Sequence, residues 1–89
     1  MKSSYLEVTF RHGRPLAAYL YLPRHPADKS CRTARAESGL VIDFNRKGQP
    51  MGIEITAPDK LSLAALNRVL RDLGFPAVKR MDLTPLRAA

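Results

Sequence analysis

The chain has 89 residues, room for one small domain with one core. Hydrophobic residues make up 45%, which excludes wholesale disorder, and no apolar run approaches the roughly 20 residues of a membrane span. A net charge of +7 and a pI near 10.2 favour acidic partners, nucleic acid among them, but concern association rather than fold.

The opening Met1-Lys2-Ser3-Ser4-Tyr5 has no apolar signal core, and the single Cys31 has no partner for an internal disulfide. Both imply a cytoplasmic protein. Residues 5 to 10 read as a first strand, with Leu6, Val8 and Phe10 on one face and Tyr5, Glu7 and Thr9 on the other. Arg11-His12-Gly13-Arg14-Pro15 is a turn, punctuated by Gly and Pro. Residues 16 to 22 form a second strand, with Leu16, Ala18, Leu20 and Leu22 opposite Ala17, Tyr19 and Tyr21. Pairing Phe10 near Leu16 brings Leu6 near Leu20 and Tyr5 near Tyr21, so the two strands agree on their aliphatic face.

A polar loop with two prolines runs from Pro23 to Ser30. Cys31 to Glu37 alternates imperfectly, with charged and small side chains, and suits a sheet edge. The next stretch, residues 39 to 55, carries the clearest pattern. Leu40, Ile42 and Phe44 alternate with Val41, Asp43 and Asn45; Met51, Ile53 and Ile55 alternate with Gly52, Glu54 and Thr56. Asn45-Arg46-Lys47-Gly48 between them suits a type I turn, too short for a parallel crossover, so this is an antiparallel hairpin. A slip of one residue would bury Asp43 and Glu54, so the register is well specified.

This hairpin resembles the uncharacterised bacterial family known as domain of unknown function 2283. The residues that carry the likeness are Val41-Ile42-Asp43-Phe44, the polar turn ending in Gly48, and Gly52-Ile53-Glu54-Ile55. Ala18-Tyr19-Leu20-Tyr21-Leu22 resembles that family's tyrosine-bearing second strand, so the resemblance covers about residues 5–56. Family members tend to carry acidic hairpin turns; here the turns hold Arg11, Arg14, Arg46 and Lys47. The resemblance implies no established activity. It suggests an antitoxin-like partner of a small toxic protein.

Ala57-Pro58-Asp59-Lys60 ends the sheet, and the period then changes. Over residues 61 to 73, Leu63, Leu66, Val69, Leu70 and Leu73 fall on one helical stripe. Ser62 or Asp59 caps the start, and Gly74-Phe75-Pro76 stops it. The expected architecture is α+β: an antiparallel β-meander of four to five strands, with a swapped order open, and one α-helix packed on one face. Residues 1–76 make the domain, and 77–89 a basic C-terminal tail, either mobile or packed on a partner.

One helix covers one sheet face and leaves the other. Tyr5, Tyr19, Tyr21 and Val41 lie on that second face and form a candidate interaction surface, for a protein partner or a second copy. The plainer alternative is that tyrosines favour strands and shield their backbone. Arg24, Lys29, Arg46 and Lys47 converge at one end of a meander as a candidate basic patch for RNA or single-stranded DNA. The tyrosines lack the spacing of an RNA-recognition sheet, and with one good helix the evidence for a helix-turn-helix is missing. Asp43 and Glu54 share a face without a His nearby, a poor acid–base pair, and are better read as solubilising or paired with Arg32 or Arg35. His12 and His25 lack metal-ligand spacing, and Cys31 lacks a CxxC partner. No cofactor, metal or catalytic residue is assigned. The sequence therefore points to a small non-enzymatic interaction module, antitoxin-like or homo-oligomeric, with a basic nucleic-acid-binding protein as the alternative.

Overall fold

The computed structural model describes residues 5–23, 29–37 and 39–87. The chain is α+β: a five-stranded antiparallel sheet carries helices on one face. The strands are β1 (Tyr5–Arg11), β2 (Arg14–Tyr21), β3 (Arg32–Arg35), β4 (Leu40–Phe44) and β5 (Pro50–Ile55). A hairpin, β1–β2, and a meander, β3–β4–β5, join through β2 and β5 in the spatial order β1-β2-β5-β4-β3. This is the swapped order, a Greek-key arrangement in which β2 lies beside β5 rather than β3. Burial accounts for it. β5 supplies buried Met51, Gly52, Ile53 and Ile55 and suits a central place, whereas β3, Arg-Thr-Ala-Arg, is mostly exposed and takes the edge.

The turns follow their local chemistry. His12 and Gly13 both have positive φ, 53° and 77°, the backbone of a type I′ hairpin loop. In the β4–β5 turn the Gly48 N–H donates to the Asn45 carbonyl at 3.0 Å. The Asn45 side chain, 5% exposed, accepts from the backbone N–H groups of Lys47 and Gln49 and donates to the Gln49 side chain. Two β-bulges interrupt the ladders. Phe10 pairs with Pro15 rather than Leu16, so Leu16 is the extra residue; Phe44 pairs with Pro50, so Met51 is the extra residue of β5.

One face forms the core. Ala18, Leu20, Leu22, Leu40, Ile42, Ile53 and Ile55 point into it from the sheet. The α-helix α1 (Leu63–Asp72) adds Leu66, Val69 and Leu70. Its N-cap Ser62 accepts from the Ala65 N–H, and its end is a Schellman motif: the Phe75 N–H reaches the Leu70 carbonyl, the Gly74 N–H reaches Arg71, and Gly74 has φ 86°. The segment after Pro76 joins the same core. Over Arg80–Arg87 it forms a 3-10 helix whose Leu83 and Leu86 are 2% and 6% exposed. Burying each such large apolar side chain is worth roughly 1.5–3 kcal/mol. Met51 is buried beside its bulge but lies outside this cluster.

Candidate functional site

The pleat dictates what the other face carries. Residues paired across an antiparallel ladder share a side, so one row reads Tyr5, Tyr21, Gly52, Asp43, Thr33 from β1 to β3. The adjacent row reads Glu7, Tyr19, Glu54, Val41, Arg35. The three tyrosines therefore sit together at the β1–β2 side of the face, and Val41 lies beyond Glu54. Asp43 and Glu54 share this face, as the hairpin register requires.

The tyrosines are organised by carboxylates. Tyr5 stacks on Tyr21 with ring centroids 4.4 Å apart and planes at 13°, and Tyr19 meets Tyr21 edge-on at 4.7 Å. The Tyr19 hydroxyl donates to Asp43 Oδ2 at 2.7 Å, reaching across β5. It can do so because Gly52 has no side chain: a Cβ there would lie 2.3 Å from the Tyr19 ring. The Tyr21 hydroxyl donates to Glu7 Oε1 at 3.1 Å. The rings are thus fixed at both ends, by packing and by phenol–carboxylate bonds. Tyr19 and Tyr21 are half-buried and shield the backbone of β5, while Tyr5 remains 50% exposed at the rim.

A shallow concavity of about 450 Å³ opens on this surface, bordered by Glu7, Tyr19, Tyr21, Lys29, Asp43 and Met51. Three carboxylates, Glu7, Asp43 and Glu54, interleave with the aromatic rings, in a chain whose net charge is +7. Among the described residues neither Asp43 nor Glu54 forms an ion pair. Arg35 lies on the same face at the β3 edge; Arg32 instead places its guanidinium 4.4 Å above the Phe44 ring.

Of the basic candidates, Lys29 borders that concavity, while Arg46 and Lys47 lie in the β4–β5 turn. The Cys31 N–H donates to the Phe44 carbonyl, so Lys29 and the Arg46-Lys47 turn emerge at the same end of the sheet despite the swapped strand order. All three are exposed. Arg24 and His25 fall outside the described residues. Among the described residues no three His, Cys, Asp or Glu side chains gather into a group that could hold a metal ion, and His12 lies in the β1–β2 turn. No described helix is long and apolar enough to cross a membrane.

Sequence reasoning placed the tyrosines on one face but missed what holds them. The Tyr19–Asp43 bond depends on β2 lying beside β5, and on a glycine in β5 between Tyr19 of β2 and Asp43 of β4. The chain matches no protein-family model, no curated protein and no solved structure.

Proposed function

We propose that this chain is a small, non-enzymatic protein-interaction module that works through its tyrosine face, and that its partner presents arginine or lysine side chains. The observation that carries the reading is the interleaving of Tyr5, Tyr19 and Tyr21 with Glu7, Asp43 and Glu54. A guanidinium lies favourably over a phenol ring and pairs with a carboxylate beside it. Rings pre-set by Asp43 and Glu7 lose little rotamer freedom on binding. The same carboxylates repel phosphate, which disfavours these tyrosines as a stacking platform for nucleic acid. An antitoxin-like role, suggested by the hairpin's family resemblance, fits a partner of this charge, and so does a second copy of this basic chain.

A synthetic arginine-rich peptide, titrated by fluorescence anisotropy, tests the reading. Glu54→Lys, at an exposed position, is expected to weaken binding about ten-fold, the size of a lost charge-assisted contact. Tyr5→Ala is expected to weaken it as well. Equal affinity in wild type and both variants would remove this face from consideration.

The exposed cluster of Lys29, Arg46 and Lys47 favours a second reading, in which that end of the sheet contacts the phosphate backbone of RNA or single-stranded DNA. Lys29 also borders the tyrosine concavity, whereas Arg46 and Lys47 lie in the β4–β5 turn, so substitutions at Arg46 and Lys47 separate the two readings.

A further inference from the structure

The two edges of the sheet are not equivalent. β3 is short and carries Arg32 and Arg35, charges that discourage strand addition. β1 spans Tyr5–Arg11, contains no Pro or Gly, and on it Tyr5 and Phe10 are 50% and 48% exposed. Among the described residues β2 is its one strand neighbour. Such an edge is a template for another strand.

We propose that β1 pairs antiparallel with β1 of a second copy, centred on Val8, so that two sheets become one and Arg11 of each copy caps Tyr5 of the other. The proposal rests on the reading of the tyrosine face as a receptor for cationic side chains, and names the partner and the residue delivered. The sequence of β1 is self-complementary in this register. Val8 meets its own copy, Leu6 meets Phe10, and Tyr5 meets Arg11. All of these pairs keep the same face, because the register preserves the pleat. Leu6 and Val8 already pack against the core, so the core face continues across the junction and covers the exposed Phe10 ring.

On the opposite face the geometry is specific. Tyr5 stacks nearly parallel on Tyr21, so one side of its ring is used and the other faces away, towards the open edge. A residue directly opposite Tyr5 has its Cβ about 4.5–5.5 Å away. A guanidinium there lies over the free side of the ring and within diagonal reach of Glu7. Shifting the register two residues one way sets Glu7 against Glu7, a like-charge pair; shifting it the other way leaves Tyr5 and Leu6 unpaired.

Sedimentation equilibrium tests the pairing. The wild-type chain is expected to show a monomer–dimer equilibrium, and Arg11→Glu to raise its dissociation constant at least about ten-fold. Glu7→Arg combined with Arg11→Glu, which exchanges the diagonal charges, is expected to recover part of that loss. With Cys31→Ser as background, Val8→Cys is expected to cross-link to itself under mild oxidation and Glu7→Cys is not. A chain that stays monomeric to millimolar concentration overturns the proposal, as does a dimer indifferent to Arg11→Glu or a Val8→Cys chain that never cross-links. A monomer whose peptide binding still falls with Glu54→Lys overturns the strand pairing and leaves the tyrosine-face reading standing. A dimer that follows the β1 pattern with peptide binding blind to both Glu54→Lys and Tyr5→Ala supports the pairing and removes that reading.

Discussion

Gly52 occupies the point where three strands exchange their most specific contacts. Tyr19 covers it from β2 and hydrogen-bonds to Asp43 on β4. A methyl group at Gly52 must push the ring aside, and the ring is held by that bond and by Tyr21. Gly52→Ala is therefore expected to lower stability by about 1–2 kcal/mol, the scale of a lost hydrogen bond plus repacking. Denaturant unfolding measures it. The cost should shrink when Tyr19 is first replaced by Ser, because the two residues act through one contact. Asn45 is the second such residue. Its buried amide satisfies the turn's Lys47 and Gln49 N–H groups, and Asn45→Ala is expected to cost about 1–3 kcal/mol by leaving them unpaired. These two residues were not equally legible. Asn45 could be read as a turn residue because its partners lie within four positions. The role of Gly52 could not, because it depends on Tyr19, a residue far away in the chain, arriving from a neighbouring strand.

At the scale of elements, the strands and α1 followed from period and punctuation, whereas strand order and the tail did not. Periodicity reports which face a residue takes but not which strand lies beside it, so it leaves the β2–β5 junction unspecified; the burial of β5 accounts for it. Among the described residues the tail buries Leu83 and Leu86, three apart, a spacing that suits a 3-10 turn and is weak on its own. Two devices seat it. Asn67 of α1 clasps Val78, donating to its carbonyl and accepting from its N–H, and the Asp82 carboxylate accepts from the Lys79 N–H. Leu83→Ala is expected to cost about 2–5 kcal/mol, as for a buried leucine, and a thermal melt would reveal it. A loss-free Leu83→Ala would mean that the tail contributes nothing to the fold. The other tie between elements is exposed. Arg68 of α1 makes a two-pronged bond to Glu37, at the turn into β4, with Nε–Oε2 at 2.7 Å. The hydrogen bonds from Arg68 hold the Glu37 carboxyl below its usual value of 4.5, against the opposing effect of desolvation and with a lesser contribution from the Arg68 charge. A depressed folded value means that the contribution is complete above the unfolded value and fades as pH falls through the folded one. The stability difference between wild type and Glu37→Gln should be level from pH 7 to about 5 and shrink in more acid solution. Salt should reduce it at neutral pH, since the pair is solvent-screened.

For the whole molecule the deciding quantity is how charge is distributed rather than its sum. The excess of +7 is compatible with attraction to any polyanion, yet the aromatic face that would stack bases carries Glu7, Asp43 and Glu54. Attraction to nucleic acid should then be strongest at the Lys29, Arg46 and Lys47 end. This predicts a particular pattern in a salt titration with a single-stranded oligonucleotide. Counterion release makes log K fall linearly with log salt, with a slope of about −0.7 for each phosphate neutralised on a single strand. Replacing Arg46 and Lys47 together by Glu should flatten that slope by more than one. Tyr5→Ala and Tyr19→Phe should leave both slope and affinity unchanged, because no base reaches those rings. Stacking is worth about 1–3 kcal/mol per base. A ten-fold or greater loss of affinity in the Tyr5→Ala variant would therefore put bases on the tyrosines, and the carboxylates would no longer exclude nucleic acid from this face.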